Sequence, residues 1–274
     1  MKISLLISAI FFCITVAYNQ NVGQVGDSLI NYMDINGNKQ GHWQKKYENE
    51  KIAYNAYFKN GKIIGQYIRY YSSGKIKADV IYDKEGNQTG KAKLYWDDGI
   101  IMAEGNYIDM NVKDSIWNFY GVDGKLLSTV SYKKDILDGE SISYYRDGKK
   151  SELITYKNGV KDGLWRRYFE SGETNFEVKM TDNHMDGVMN VYYKSGRPKV
   201  KGKYSKGIKI GKFILYDSNG KVESEIEYKK GVASNEKEVN AKLAKEIIDA
   251  ENNKDRYKEP SENDFYKSQQ PGEY

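Results

Sequence analysis

Two histidines, three Asp-led turns and one Arg-Arg-Tyr-Phe run are the residues whose types could support chemistry. His42 and His184 lack a cysteine or a second histidine at ligand spacing, so a zinc site has little to build on. A Ser-His-Asp set would have to recruit one of the two, since geometry rather than sequence order defines such a triad. Exposed repeat positions are the expectation for both. Asp34-Ile35-Asn36-Gly37, Asp83-Lys84-Glu85-Gly86 and Asp217-Ser218-Asn219-Gly220 hint at calcium loops. Their glycine is fourth, whereas a calcium loop of the EF-hand type needs it sixth. Asx-type turns account better for them. Arg166-Arg167-Tyr168-Phe169 mixes cations with aromatics, as single-strand nucleic-acid binders do, and Lys199, Lys201 and Lys203 form a basic row. Glu223, Glu225 and Glu227 sit one unit away in the same frame, so a solvated face of weak ion pairs, each contributing about 0–1 kcal/mol, is expected instead. No catalytic residue, metal, cofactor or nucleic-acid partner is expected.

The elements that would position these residues show up as a repeat. Gly41, Gly65, Gly90, Ser115, Gly139, Gly163, Gly187 and Gly211 recur at intervals of 24 or 25 residues. Counting from each, slot +9 holds Glu50, then Gly74, Gly99, Gly124, Gly148, Gly172, Gly196 and Gly220. A third mark precedes several units: Gly37, Gly61, Gly86, Gly159 and Gly207, with Gly231 after the last. Slot +5 holds Lys46 once and Tyr seven times, from Tyr70 to Tyr216; slot +2 holds Trp43, Tyr67, Trp117, Trp165 or Phe213 among others. Between the marks the residues alternate with a period of two, as in half-buried strands. Ile76, Ala78, Val80 and Tyr82 fall on one side, with Lys77, Asp79 and Ile81 on the other. The expectation is an all-β chain: an elongated, single-layer antiparallel meander of about eight tandem β-hairpins over 36–231, with a lead-in at 18–35 pairing against the first strand. Glu50, Ser115 and Asn183 stand where the pattern wants Gly, and those hairpins are expected to be distorted.

The aromatics of slot +6 are the candidate surface. Regular aromatics first serve a sheet's own cross-strand packing. A single layer cannot hide both faces, so Tyr71, Trp96, Tyr145, Phe169 and Tyr193, with Arg167 beside them, are the candidate partner-binding residues.

Composition agrees with strands and tight turns: 25 Tyr, 8 Phe and 4 Trp accompany 26 Gly and only 3 Pro. The formal charge of +5 is too modest to imply nucleic acid or an anionic membrane. Residues 1–17 combine Lys2, an apolar stretch and Thr15-Val16-Ala17, the pattern of a signal peptide cleaved after Ala17. A lipoprotein signal using Cys13 competes poorly because Phe12 fills a position that wants a small residue, and an uncleaved anchor is the third option. Export to the periplasm, outer membrane or exterior follows from the first reading. After Gly231, Val239, Leu243 and Ile247 form one stripe of a helix over 232–252, with Asn235 and Glu238 as a capping box. Its expected role is to cover the last open strand edge. Residues 253–274, polar and with Pro260 and Pro271, are expected to be disordered.

Gly163-Leu164-Trp165-Arg166-Arg167-Tyr168-Phe169-Glu170-Ser171-Gly172 resembles the MORN repeat in its bacterial variant form. The pattern covers about Asn36 to Gly231. The whole layout, with its leader, its lead-in Asp34 to Trp43 and its polar tail, resembles the envelope proteins grouped as YwqK-family antitoxins. The resemblance implies a non-catalytic repeat scaffold that binds a protein, with a toxin or an envelope component as candidate partner. A toxin neutraliser and a binder of envelope lipid or glycan are the alternative functions it suggests, and membrane contact stays open.

Overall fold

The computed structural model describes residues 23–25, 28–234 and 241–252. The leader 1–17, the capping box Asn235 and Glu238, Val239 and the tail 253–274 lie outside the described residues. The chain is all-β, with a single open meander sheet and one C-terminal helix. Eight hairpins follow one another: Lys39–Lys46 with Ile52–Lys59, Lys62–Tyr70 with Ile76–Tyr82, Gly90–Tyr95 with Ile101–Ile108, and Val112–Tyr120 with Leu126–Lys133. Then come Ile136–Tyr144 with Lys150–Lys157, Val160–Tyr168 with Thr174–Thr181, Gly187–Tyr192 with Pro198–Ser205, and Ile208–Tyr216 with Val222–Lys229. Each strand pairs antiparallel with the strand before and after it. Both sheet ends are protected, as open edges invite aggregation. Tyr32–Met33 pairs with the first long strand (Tyr32 opposite Gln40), and Val232–Ala233 pairs with the last (Tyr228 opposite Ala233).

Except for the longer loop 83–89 between the second and third, most of the connections between hairpins are two-residue turns with positive φ at both positions, for example Asn60-Gly61, Asn158-Gly159 and Lys206-Gly207. This is the primed turn whose twist matches that of the flanking strands. Asp182-Asn183 adopts it too, at φ 48° and 64°, and Thr181 still pairs with His184. Glu50 takes φ 62° and its N–H donates to the Tyr47 carbonyl at 3.1 Å, matching Gly74 on Tyr71 at 2.9 Å. Ser115 takes φ 61°. The expected distortion is therefore absent: the three non-glycine residues accept the left-handed conformation, and the tightly packed array over-determines it.

The ladder is irregular in two repeated ways. Within every hairpin the residue at slot +12 is a bulge: Arg69 opposes Ala78 while Tyr70 opposes Ile76, leaving Lys77 over. Between hairpins, other than the second and third, the register jumps by two residues at the opening slot, as where Ala56 opposes Tyr67 but Tyr57 opposes Ile64. A jump of two preserves which face each side chain takes; a bulge of one does not. The strict alternation read for Ile76 to Tyr82 therefore fails at its first residue. Ile76 lies opposite Tyr70 and is exposed, as is Val222 opposite Tyr216.

One sheet face carries the core. Slots +2, +4, +13, +15 and +17 line it, and two clusters form. The N-terminal cluster holds Phe58, Val80, Tyr82, Trp117, Phe119 and Val130; the C-terminal one holds Trp165, Phe176, Met189, Phe213, Leu215 and Ile226. The helix, Ala241–Asn252, lies on the second cluster and contributes Leu243, Ile247 and Ala250, which share a helical face. It is fastened by Lys199–Glu246 at 2.6 Å, Lys209–Glu251 at 2.9 Å and Lys242–Glu223 at 2.7 Å, and Tyr204 Oη donates to Glu251 at 2.5 Å. The expectation that it covers the last strand edge is corrected: it covers the apolar face, because a single-layer sheet has more apolar area there than its own side chains can bury.

Candidate functional site

The five aromatic candidates occupy one slot, +6, at the start of the four-residue turn inside each hairpin. Here the ladder ends and the carbonyl of slot +5 in the next unit needs a donor. Tyr71 Oη donates to the Tyr95 carbonyl at 2.7 Å, Tyr145 to Tyr168 at 2.6 Å, and Tyr193 to Tyr216 at 2.7 Å. Tyr47 does the same to Tyr70 at 2.6 Å. Tyr71 is buried, and burial, followed by the neighbouring carboxylates Asp97 and Asp98, pushes its phenol up to about 12. Trp96, Tyr145, Phe169 and Tyr193 are half-buried. The slot is a latch between successive hairpins; Tyr71 is unavailable to a partner, contrary to the expectation of an accessible strip.

Arg166 and Arg167 point to opposite faces. Arg166 pairs with Glu177 at 2.7 Å. Arg167 stacks on Phe176, 4.5 Å from its ring centre, and donates to the Ala250 carbonyl in the last turn of the helix, where a cation is favoured. The two arginines therefore do not form one basic patch. The lysine row is split in the same way. Lys199, a slot +12 bulge residue, turns to the helix, while Lys201 and Lys203 stay on the opposite face; Glu223 is the equivalent bulge residue of the next unit. The Asp-led turns are Asx turns. Asp34 Oδ1 accepts the N–H groups of Asn36 and Asn38, Asp83 Oδ1 those of Glu85 and Asn87, and Asp217 Oδ1 those of Asn219 and Lys221, all within 2.9 Å. His42 stacks on Tyr57 at 5.1 Å in the first hairpin, and His184 Nδ1 sits 2.6 Å from its neighbour's carbonyl, Asp182 O, near the other end of the array. Among the described residues no group of three or more His, Cys, Asp or Glu could hold a metal, and no helix is long and apolar enough to cross a membrane.

The surface that does remain open is the face opposite the core. Its tyrosines, slot +5, reach back one unit: Tyr120 Oη donates to Glu104 at 2.6 Å and Tyr192 Oη to Glu177 at 2.7 Å. Burial, then the carboxylate partner, pushes both phenols up to about 12. Beside this ladder, slots +1 and +16 form a lateral row in which Tyr57 (54% exposed), Ile81 (59%), Ile116 (56%) and Val188 (45%) are apolar and accessible. His42, Lys91 and Lys203 are their cross-strand neighbours. Sequence reasoning missed this row because it ranked aromatics by regularity, and these four residues share a face without sharing a residue type.

Residues 63–84, 88–109, 137–158 and 209–230 each match the MORN repeat variant. Those four segments are similar to MORN-type repeats. Each match opens two residues before a slot-zero glycine, at Gly65, Gly90, Gly139 and Gly211, so the MORN frame and the hairpin frame coincide. The other four hairpins keep the same pairing register, including the slot +12 bulge. No curated protein matches the chain.

Proposed function

We propose that the chain is a non-catalytic scaffold that binds a protein partner along its outer sheet face, in the bacterial envelope or outside the cell. One observation carries this reading: Tyr57, Ile81, Ile116 and Val188 present accessible apolar surface in one row, while the aromatics of the opposite face are consumed by the core and the helix. Apolar anchors in a polar surround are what a protein interface needs. The MORN-type repeats support a binding module. The apolar leader at 1–17 and the resemblance of the layout to YwqK-type envelope proteins support the location.

The test compares the wild-type chain with an I81D/I116D variant as bait for envelope fractions. Both positions are exposed, so the unfolding free energy should move by no more than about 0.5 kcal/mol. A specific partner retained by the wild type and lost by the variant is expected. Equal capture by both, or no reproducible partner, sinks the reading. Cell fractionation tests the location separately, and retention of the full-length chain in the cytoplasm would overturn it.

A further inference from the structure

Between the two core clusters the apolar face is interrupted. Residues at slots +4 and +13 form a continuous lateral row through the pairs Leu94–Ala103, Ala103–Phe119 and Phe119–Ser128, then Ser128–Ser143, Ser143–Glu152 and Glu152–Arg167, and on through Arg167–Phe176, Phe176–Val191 and Val200–Leu215. From Leu94 to Leu215 the row is apolar on both sides of a four-residue polar segment, Ser128, Ser143, Glu152 and Arg167; nearer the ends of the array Lys45, Arg69 and Ser224 are isolated polar members. The four-residue segment separates the two core clusters, neither of which contains any of the four. The fifth hairpin also carries Ser141 at slot +2, where the others hold Trp, Tyr, Phe, Met or Ala. Small residues in place of large ones leave space. A cavity of about 290 Å³ opens here; its lining includes the polar residues Ser143, Ser151, Glu152, Arg167 and Asn175 and the exposed Glu170, together with Leu127 and three tyrosines. Ser151 and Asn175 are bulge residues, turned to this face by the same irregularity that aims Lys199 at the helix. Next to Ser143 in the row, Ser128 is 1% exposed and its hydroxyl has no hydrogen-bond partner among the described residues.

We propose that this cavity binds a neutral polyhydroxylated ligand, a single sugar ring. The charged pair across the strands is already engaged by the protein. Glu152 accepts from Trp165 Nε1 at 2.8 Å, and Arg167 is stacked on Phe176 and bonded to the helix carbonyl of Ala250. Their opposite charges stand in adjacent cross-strand positions, so the pair gives the cavity floor no net charge to attract an ion. The lining groups otherwise suited to a ligand are the hydroxyls of Ser143 and Ser151 and the amide of Asn175, each able to donate and accept, which complements the hydroxyls of a sugar. The volume lies at the lower edge of ligand-sized pockets and admits one ring rather than a peptide segment. Four consecutive polar residues between apolar stretches break the local rule of this sheet, and such breaks concentrate where a protein has a use for them. The site lies on the core face and is independent of the outer-face reading.

The experiment is an NMR titration of the full chain with glucose, galactose and N-acetylglucosamine, with inorganic phosphate as the anionic comparator. At least one sugar should saturably shift the backbone amides of Ser143, Ser151 and Asn175. Ser143→Leu fills the cavity with the residue that Leu94 and Leu215 place in the same slot, so the repeat itself shows that it fits the fold. It should weaken binding by roughly tenfold or more. Ser151→Leu, which copies Leu127 at the same slot of the preceding hairpin, serves the same purpose if the first variant does not fold. The proposal is overturned if no sugar shifts these amides, if the shifts persist in the folded leucine variant, or if phosphate produces them as strongly as the sugars.

Discussion

Gly105 and Trp117 share one volume. A Cβ on Gly105 would stand 2.4 Å from Cδ2 of the Trp117 ring, which lies flat over that glycine, 0% exposed, with its Nε1 bonded to the Asn106 carbonyl at 3.0 Å. Gly202 and Phe213 repeat the arrangement at 2.3 Å. In both pairs the glycine at slot +15 seats the aromatic at slot +2 of the next hairpin. Gly105→Ala should therefore destabilise the chain by about 1–3 kcal/mol through overpacking. In a G105A/W117L double variant most of that loss should disappear. Chemical denaturation of the two single variants and the double variant measures the coupling; strictly additive losses would contradict shared space.

The phenol latches should each contribute little but measurably. Tyr145→Phe removes the donor to the Tyr168 carbonyl and keeps the ring, so a loss of about 0.5–1.5 kcal/mol is expected. Phe169 already occupies the same slot in the following hairpin without a hydroxyl, which shows that the ring alone is tolerated. A lowered urea midpoint for Y145F and Y193F, with an unchanged denaturant slope, is the readout.

Two of the three residues that stand in for a patterned glycine in the left-handed region should be improvable. Glu50→Gly and Ser115→Gly should each stabilise the chain by about 1 kcal/mol, because an L side chain is strained at φ near 60°. The exposed Lys46–Glu50 ion pair that E50G removes offsets only a small part of this. Asn183→Gly should change little, since asparagine tolerates that conformation. Thermal unfolding of the three variants ranks them.

Loss of the helix contacts should expose the core face and leave the sheet in place. Leu243 is fully buried, and Leu243→Ala should cost about 2–5 kcal/mol of helix docking. Binding of a hydrophobic dye should rise while the far-ultraviolet signal of the strands persists. A variant that loses its strand signal together with the helix would show that the sheet cannot stand without it.

Stability should fall at both ends of the pH range. Glu177 is held below the usual carboxylate value: its partial burial acts in the opposite direction, but the Tyr192 hydroxyl and the Arg166 guanidinium outweigh it. A lowered folded value means that stability from this group is present above the unfolded carboxylate value and is lost as pH falls through the folded one. Tyr120 and Tyr192 behave in the opposite sense, with folded values of about 12 against 10.0 when unperturbed. Their contribution is complete below pH 10 and is lost as the unfolded phenols ionise between 10 and about 12. Urea midpoints across pH for the wild type and E177Q test the acidic side, and phenolate absorbance alongside unfolding tests the alkaline side.

The spacing of Gly and Tyr was enough to establish the hairpin array, because each mark answers a local demand: positive φ at a turn, or a flat ring on a pleated surface. Glycine spacing likewise located the turns, and the stripe of Leu243 and Ile247 located the helix, although its expected start at 232 falls on the Val232–Ala233 strand. Facing was legible only between the irregularities. The bulge at slot +12 leaves no trace in composition, since it holds Lys77, Met102, Ser151, Asn175 and Glu223 alike. Yet it decides that Lys199 meets the helix, that Ile76 is exposed, and that Ser151 and Asn175 line a cavity. The candidate residues show the same division. Tyr71, Tyr145 and Tyr193 announced themselves by regularity, and that regularity is the signature of a latch between units. Tyr57, Ile81, Ile116 and Val188 have no common type, and only the folded register brings them into one row. Residue order alone was sufficient for the elements, because turn and strand preferences act over a few residues. Which face was buried, where the helix lay and where the core row opened had to wait for the folded chain, because those depend on contacts made about one repeat or more away along it.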